Sequence, residues 1–203
     1  MEKQRFIVFE GIDGSGKTTQ IRHLKERLSG VGQSFVLTRE PTGSPIGKFL
    51  REALAGDRSL AGETIALLFA ADRCQHILDV VIPKMDSGNW VISDRYYLSN
   101  FAYQGSANNM DRLIAYNTLA MNRCVPDIVF FLDVSPEECM NRLSASRSEF
   151  EIYENLSQLR EIRENYLRVF ENLKDRENIV IIDGSHSEET VAKIVWSHLV
   201  NLL

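Results

Sequence analysis

The sequence predicts an α/β fold, a doubly wound five-stranded parallel sheet with helices on both faces. Short apolar runs recur along the chain with helical stretches between them, as expected for parallel strands joined by crossover helices. The runs are apolar on both faces instead of alternating, which is typical of strands that helices cover on both sides. The five runs are residues 6–9, 35–37, 90–92, 128–132 and 179–182.

Length and composition limit the class of protein. A chain of 203 residues without repeats or linkers favours a single domain over residues 1–203. The formal net charge of −5, with both signs interspersed, argues against a nucleic-acid-binding surface. The apolar run near the N-terminus, about five residues long, is too short for a signal peptide or a membrane span. Three cysteines without metal-ligand spacing fit reduced thiols, so we expect a cytoplasmic protein that binds neither membrane nor nucleic acid.

The strongest motif follows the first apolar run. Residues 11–18 read Gly-Ile-Asp-Gly-Ser-Gly-Lys-Thr and match the phosphate-binding pattern G-x-x-x-x-G-K-[ST]. The glycines let backbone N–H groups face phosphate oxygens, Lys17 can reach the outer phosphates, and the Thr18 hydroxyl can ligate Mg²⁺. The preceding strand and a helix predicted over residues 19–28 supply the required setting, with a helix dipole behind the phosphates. A glycine-rich turn with a solvated lysine is the alternative. The residues predicted to bind the nucleotide here are Gly11, Ile12, Asp13, Gly14, Ser15, Gly16, Lys17, Thr18 and Thr19.

Ligands of a parallel sheet bind at the carboxyl ends of its strands, and two of these ends carry an arginine. Arg39 follows the second apolar run and could bind a phosphate through its guanidinium, but a surface salt bridge with Glu40 explains it equally well. Asp94 and Arg95 follow the third run, where burying such a pair without a purpose would be costly. Asp94 is the candidate for holding Mg²⁺, and a simple Asp94–Arg95 structural pair is the alternative.

The middle of the chain predicts a helix over residues 62–82. Phe69 and Arg73 lie four residues apart on one face of it, and an aromatic ring beside a guanidinium fits a planar base. Core packing for Phe69 and a pair with Asp72 for Arg73 are the alternatives. The apolar stripe of this helix comprises Ile65, Leu68, Ile77 and Val81.

A second polar face follows Arg95. If residues 99–104 are helical, the side chains of Asn100, Tyr103 and Gln104 share one side of that helix. This pattern is weak by itself.

The C-terminal part predicts a helix, a break and two further helices. Ser135 is predicted to cap a helix that begins at Pro136, with Glu138 reaching back to complete a capping box. Small and polar residues then interrupt the pattern around residues 142–150, as in a short lid. Arg142 and Arg147 could close over the transferring phosphates, and a solvated connection between helices is the alternative. The two later amphipathic helices are predicted to be scaffold, with their apolar positions at Tyr153, Leu156, Tyr166, Phe170 and Leu173, then at Val191, Ile194, Val195 and Leu199.

Taken together, these motifs resemble the thymidylate kinase family, one of the nucleoside monophosphate kinases of the P-loop class. The resemblance covers nearly the whole chain. It implies transfer of the γ-phosphoryl group of ATP to dTMP with Mg²⁺, giving ADP and dTDP, in a homodimer with contacts between residues 47 and 82. The motifs that carry it are residues 9–19, 39–41, 69–73, 94–96, 102–104 and 132–136.

The resemblance also implies a role for each matching residue. Lys17 and Thr18 serve ATP and Mg²⁺, and Asp13 accepts a hydrogen bond from the 3′-hydroxyl of the acceptor sugar. Arg39 and Arg95 bind the phosphate of dTMP. Such positioning and charge neutralisation are what phosphoryl transfer requires, and no protein nucleophile is needed.

The same resemblance assigns the acceptor base and sugar. Phe69 stacks on thymine, and Arg73 and Asn100 meet its polar edge. Tyr103 occupies the space that a ribose 2′-hydroxyl would need, and Gln104 belongs to the same substrate site.

The chain departs from the family pattern at two positions. Thr42 stands where many relatives have glycine, which bears on the geometry of that turn. Gly14 stands where some relatives carry arginine, so the catalytic arginine is expected from the lid. Arg147 is the predicted catalytic arginine of the lid, and Arg142 is assigned to ATP binding. Asp13, Lys17 and Arg95 complete the predicted catalytic residues.

Two other functions remain open on the sequence. One is a different P-loop nucleoside or nucleotide kinase, and the other is a nucleotide-binding regulatory module. A nucleoside kinase would need a base near the 5′-hydroxyl instead of two arginines for an acceptor phosphate. A nucleotide-binding regulatory protein without a small-molecule acceptor would not need an acceptor site formed by Phe69, Arg73 and Tyr103. A GTPase is disfavoured because the guanine-reading Asn-Lys-x-Asp motif is missing after the fourth apolar run.

Overall fold

Five strands form one parallel sheet in the computed structural model of the chain, which describes residues 5–106, 109–144 and 156–202. Their order across the sheet is β2-β3-β1-β4-β5. The predicted strands are all confirmed, and each extends one or two residues further at its carboxyl end, because the polar residues there still pair with a neighbouring strand. The strands are β1 (Phe6–Glu10), β2 (Phe35–Arg39), β3 (Trp90–Asp94), β4 (Ile128–Asp133) and β5 (Ile179–Asp183).

Helices connect these strands. Over the part of the chain that the structure describes, no helix combines the length and the apolar character needed to cross a membrane. The helices are α1 (Lys17–Gly30), α2 (Pro45–Leu54), α3 (Gly62–His76), α4 (Ile82–Asp86), α5 (Tyr97–Gln104), α6 (Met110–Arg123), α7 (Pro136–Ser144), α8 (Leu156–Leu173) and α9 (Glu188–Leu199), and a 3₁₀ turn (Val200–Leu202) follows α9.

The helix predicted over residues 62–82 is divided in the structure. A π-helical turn (Ile77–Val81) separates α3 from α4, and both end residues of that turn are buried. The helical path continues past Ile82 because Pro83 falls in the first turn of α4, where its missing N–H is not required.

Side chains on opposite faces of the central strand enter different cores. Phe6 and Val8 of β1 join a core that includes residues of α3, α5, α6 and α8, whereas Ile7 and Phe9 pack against residues of α1 and α9. Helices therefore cover both faces, which confirms the doubly wound architecture. The cover is less complete at the two outer strands, where Leu37 of β2 is 40% exposed and Ile181 of β5 is 52% exposed.

Strand register brings polar residues to the carboxyl edge of the sheet. Asp94 of β3 pairs with Phe9 of β1 on one side and with Arg39 of β2 on the other. Glu10 ends β1, which lies between β3 and β4. The loop that follows β1 therefore opens beside the ends of its neighbouring strands.

The start of α7 is capped as predicted, with one difference. The backbone N–H of Glu138 donates to the Ser135 hydroxyl at 3.3 Å. The Glu138 carboxylate, predicted to reach back to Ser135, instead binds Arg142 one helical turn further along.

Candidate active site

The phosphate-binding loop connects β1 to α1 at the centre of the sheet. Lys17 is buried, and its Nζ donates hydrogen bonds to the carbonyl oxygens of Gly11 at 2.9 Å and Ile12 at 3.1 Å. Burial lowers the pKa of this ammonium, and the positive charge of Arg95 lowers it further. A phosphate would offer the ammonium a charged acceptor, which forms stronger hydrogen bonds than a carbonyl does.

The tip of this loop packs against α7. Gly14 has a φ of +83°, and a Cβ built on it would lie 2.7 Å from the carbonyl oxygen of Cys139. Both the backbone conformation and the lack of space therefore favour glycine at this position. An arginine side chain would not fit this packing.

Asp13 of the same loop lies in a cluster with Arg95 and Tyr103. Arg95 Nη2 donates to Asp13 Oδ1 at 2.6 Å and to the Tyr103 hydroxyl at 2.9 Å, and that hydroxyl donates to Asp13 Oδ2 at 3.2 Å. Burial alone would raise the pKa of Asp13, but the charges of Arg95 and Lys17 outweigh it and hold that pKa at about 2. Asp13 is therefore ionised at neutral pH, and its ion pair joins the phosphate-binding loop to the segment after β3.

Asp94 borders the cleft beside this cluster. The alternative of a simple Asp94–Arg95 pair is wrong, because the Arg95 guanidinium binds Asp13. Asp94 Oδ1 is buried and accepts no hydrogen bond from the residues that the structure describes. Such an oxygen suits Mg²⁺, which takes one or two protein carboxylates and completes its shell with water and phosphate. Thr18, exposed in the first turn of α1, borders the same cleft.

Arg39 and Glu40 separate at the end of β2. Arg39 is exposed and borders the cleft. The alternative of an Arg39–Glu40 salt bridge is wrong, because Glu40 turns inward: its Oε2 lies 2.7 Å from Arg73 Nη2 and its Oε1 lies 2.9 Å from His76 Nδ1. The carboxylate of Glu40 is nearly fully buried, so it needs these two partners.

A network of hydrogen-bonded polar side chains connects Arg73 to α5. Arg73 Nη1 donates to Asn117 Oδ1 at 2.5 Å, and Asn117 Nδ2 donates to Asn100 Oδ1 at 2.9 Å. Asn100 Nδ2 donates in turn to Gln104 Oε1 at 3.0 Å, so these two residues share a face of α5 as predicted. Arg73 Nε and Gln104 Nε2 are buried donors without a hydrogen-bond partner in the described chain. Phe69 is half-buried on α3, one turn before Arg73.

Asp72 holds the turn after β2 instead of pairing with Arg73, so that alternative is wrong. Its Oδ2 accepts the backbone N–H of Thr42 at 2.7 Å, and its Oδ1 accepts the hydroxyls of Thr42 at 2.5 Å and Ser44 at 2.8 Å. The threonine that departs from the family pattern thus uses its hydroxyl to tie the turn to α3.

Arg142 of the predicted lid lies against the phosphate-binding loop. Its guanidinium binds Glu138 and donates to the carbonyl oxygens of Ser15 at 3.4 Å and Gly184 at 3.0 Å. Arg147, the predicted catalytic arginine, lies outside the described residues, as does most of the predicted lid.

A cleft of about 1140 Å³ opens at the carboxyl end of the sheet, a volume above the ~300–1,000 Å³ usual for one small ligand. Phe69, Arg73, Asn100, Tyr103 and Gln104 are not among the described residues that line it. Gly11 and Ile12 lie beneath Lys17. The predicted site residues that line the cleft are Asp13, Gly14, Ser15, Gly16, Lys17, Thr18, Thr19, Arg39, Asp94, Arg95 and Arg142.

Three polar residues that contact this site were not among the predicted site residues. Glu10 is fully buried beneath Arg95, and its carboxylate accepts hydrogen bonds from Ser99 and Tyr166. The prediction that α8 is only scaffold is wrong in this respect, since the Tyr166 hydroxyl reaches the arginine. A carboxylate directly after an apolar strand was a usable signal for Glu10. No local sequence pattern distinguished Tyr166, because an aromatic residue on the apolar face of an amphipathic helix is expected to be a core residue.

The fold and the site define the class of protein as a P-loop phosphotransferase. The phosphate-binding loop with Lys17 lies beside Asp94 and Arg95 at the end of the neighbouring strand β3. A family model described as thymidylate kinase matches residues 9–195. The chain is 38% identical over 207 residues to a probable thymidylate kinase of Thermococcus kodakarensis, covering 98% of each chain. It is 39% identical over 198 residues to a thymidylate kinase of Sulfurihydrogenibium sp., covering 96% of each, and 35% identical to one from Acholeplasma laidlawii, covering 98% of this chain and 100% of that one. The chain belongs to the thymidylate kinase family.

Packing at the loop tip generates a test of the nucleotide site. We expect Gly14→Ala to weaken ADP binding about tenfold or more, because a left-handed backbone costs alanine about 1–2 kcal/mol and the new methyl meets the Cys139 backbone. Isothermal titration calorimetry measures the affinity. Gly30→Ala is the matched control, since no heavy atom lies within 4 Å of a Cβ there. Equal ADP affinity for wild type and Gly14→Ala would show that this packing does not shape the loop.

Proposed function

We propose that this chain transfers the γ-phosphoryl group of ATP to dTMP, giving ADP and dTDP. The observation that carries the proposal is the Asp13–Arg95 ion pair, which joins the phosphate-binding loop to an arginine suited to an acceptor phosphate. Membership of the thymidylate kinase family supports dTMP as the acceptor.

On the donor side, we propose that Lys17 and the loop N–H groups bind the outer phosphates of ATP, with Arg142 at the same end of the cleft. The Thr18 hydroxyl and Asp94 would hold Mg²⁺, and the buried, unpaired oxygen of Asp94 supports this assignment. When bound, Mg²⁺ neutralises charge on the transferring phosphoryl group.

On the acceptor side, Arg39 and Arg95 bind the phosphate of dTMP and hold it in line with the donor. The exposed guanidinium of Arg39 at the rim of the cleft supports this role. Asp13 accepts a hydrogen bond from the 3′-hydroxyl. Its low pKa supports the role, because an ionised carboxylate only accepts hydrogen bonds.

Thymine would bind against α3 and α5, with Phe69 stacking on the ring. The buried unpaired donors of Arg73 and Gln104 support this part of the proposal, because a thymine carbonyl oxygen would satisfy such a donor. The hydrogen bond between Asn100 and Gln104 orients both amides on the same face of α5.

We also propose that residues 1–203 act as one cytoplasmic domain whose lid, around residues 142–150, supplies Arg147 to the transition state. Contacts of Arg142 with Glu138 and two backbone carbonyls support this choice, because they hold its guanidinium at the loop.

A substrate panel tests the proposed reaction. With ATP and Mg²⁺, we expect ADP release to be fastest with dTMP and negligible with thymidine, because Arg39 and Arg95 need an acceptor phosphate. A coupled ADP-release assay across thymidine, dTMP, dUMP, dCMP and dAMP measures this, with a chelator to remove Mg²⁺. Activity on thymidine but not on dTMP would overturn the proposal, and preference for another monophosphate would identify a different nucleotide kinase.

The sugar site generates a second test. Tyr103→Ala is expected to narrow the preference for dTMP over its 2′-hydroxy analogue, because the ring excludes that hydroxyl by volume. Tyr103→Phe is the matched control: it keeps the ring, so discrimination should persist although the hydrogen bonds to Asp13 and Arg95 are lost. The ratio of kcat/KM for the two nucleotides is the measurement, and an unchanged ratio in Tyr103→Ala would remove Tyr103 from the sugar pocket.

Asp13→Ala should behave differently from the tyrosine variants. Because Asp13 also pairs with Arg95, its loss should lower kcat/KM for both dTMP and the 3′-deoxy analogue. The loss should be larger for dTMP, by the roughly 10- to 150-fold that one charged hydrogen bond to the 3′-hydroxyl contributes. If the 3′-deoxy analogue keeps its wild-type kcat/KM, the ion pair has no role in acceptor binding.

We propose that the chain forms a homodimer through helix faces between residues 47 and 82. Two exposed leucines support this: Leu67 of α3 is 45% exposed, and Leu78 of the π-helical turn is 41% exposed. Light scattering at micromolar concentration is expected to give twice the chain mass, and Leu67→Glu with Leu78→Glu should halve it. A wild-type monomer would contradict the proposal.

A further inference from the structure

We propose that Glu10 is a positioning residue that fixes Arg95 for the acceptor phosphate. This inference rests on the proposed function, because it concerns the arginine assigned to that phosphate. Glu10 ends β1, has no exposed surface, and does not line the cleft among the described residues. It therefore acts through Arg95 and does not itself touch a substrate.

The first part of the argument concerns the backbone. Arg95 has a φ of +74°, in the left-handed region that non-glycine residues rarely adopt. Its N–H donates to the Phe9 carbonyl at 2.9 Å, and the next N–H, of Tyr96, donates to Glu10 Oε1 at 2.9 Å. The end of β1 thus holds the backbone on both sides of the Arg95 Cα. Such a conformation persists only where surrounding contacts enforce it.

The same carboxylate oxygen also holds the start of α5. Glu10 Oε1 accepts the backbone N–H of Ser99 at 3.2 Å, in the first turn of that helix. The same N–H also donates to the Tyr96 carbonyl oxygen at 3.1 Å, so the buried carboxylate adds a second, charged acceptor and stabilises the partial positive charge of the first helical turn. Asn100 and Tyr103 are carried by this helix, and their placement therefore depends on Glu10 as well.

The second oxygen sets the direction of two hydroxyls. Glu10 Oε2 accepts from Ser99 Oγ at 2.6 Å and from the Tyr166 hydroxyl at 2.8 Å. Each hydroxyl has one hydrogen, and donating it to Oε2 leaves the lone pairs of both hydroxyl oxygens available to other donors; the two hydroxyls also lie 2.8 Å from each other. Arg95 Nη1 donates to those oxygens, at 3.0 Å to Ser99 and 3.4 Å to Tyr166. Glu10 thereby makes both hydroxyls acceptors for the guanidinium.

Two charged groups and one titratable hydroxyl face Glu10, from three different parts of the fold. Arg95 faces it from the segment after β3, Lys17 acts on it from α1, and the Tyr166 hydroxyl faces it from α8. Burial raises the pKa of the Glu10 carboxyl, against the lowering effect of Arg95. Loss of the Glu10 charge therefore relieves a desolvation cost, and we expect Glu10→Gln to fold.

Glutamine keeps the shape of Glu10 but carries an NH₂ group in place of one oxygen. If that group faces Ser99 and Tyr166, neither hydroxyl can donate to it; one can donate to the other, but the remaining hydrogen has to turn away, towards the side of Arg95. If it faces the other way, it meets the N–H groups of Tyr96 and Ser99. Either orientation sets a donor against a donor. Arg95 therefore loses its fixed position in Glu10→Gln.

A double-mutant cycle tests the inference. We expect Glu10→Gln to lower kcat/KM for dTMP about 10- to 100-fold, and to lower it less than about threefold when Arg95 is already alanine. Glu177→Gln is the matched control, a buried carboxylate that lies 3.4 Å from Arg176 Nε and does not line the cleft among the described residues, and it should leave kcat/KM unchanged in both backgrounds. Losses that simply multiply would mean that Glu10 does not act through Arg95, and would overturn the inference.

A second variant keeps the test decisive if Glu10→Gln does not fold. Ser99→Ala removes one acceptor for Arg95 Nη1, and the same non-additivity with Arg95→Ala is expected from it. A measurement that does not depend on enzymatic activity separates this inference from the proposed function. ¹⁵N NMR of the Arg95 guanidinium should show slow rotation in wild type and faster rotation in Ser99→Ala or Glu10→Gln. Equal rotation in all of them would overturn the inference, whereas an inactive wild type with restricted Arg95 would overturn only the proposed function.

Discussion

The ion pair between Asp13 and Arg95 is the contact on which the arrangement of the site depends. It joins the loop after β1 to the segment after β3, two loops that meet only because their strands are neighbours in the sheet. A partly buried ion pair, with the Arg95 side chain 15% and the Asp13 side chain 31% exposed, gains from further hydrogen bonds to both charges. Tyr103 supplies one to Asp13, and Ser99 and Tyr166 supply oxygens to Arg95.

Two buried glutamates, at the ends of β1 and β2 on either side of β3, each hold an arginine in a similar way. Glu10 ends β1 and binds the two hydroxyls that contact Arg95, whereas Glu40 follows β2 and binds Arg73 directly. Each arginine is thus held before a ligand arrives. For phosphoryl transfer this matters, because charges that are already oriented need no reorganisation when the reacting group develops its own charge.

The two arginines also share a scaffold. The ring of Tyr96 packs on Phe6 of β1, and the Arg73 guanidinium lies 5.5 Å from the centre of the same ring. Tyr96 is the residue whose N–H binds Glu10 directly after Arg95. The proposed base site and the proposed phosphate site therefore both pack on Tyr96. A displacement of this tyrosine by a change at one site should alter the position of the arginine at the other.

Local patterns in the sequence determined the five strands, the phosphate-binding loop and the cap of α7, because each depends on residues close together in the chain. Motif resemblance, in turn, was sufficient to name the family. Which charges pair was decided only by the tertiary structure. Three adjacent or near-adjacent pairs looked plausible in the sequence, yet Arg39, Arg73 and Arg95 all have other surroundings in the structure. Strand register and helix packing bring Glu40 to Arg73 across 33 positions and Asp13 to Arg95 across 82, distances in the chain over which no periodicity carries information.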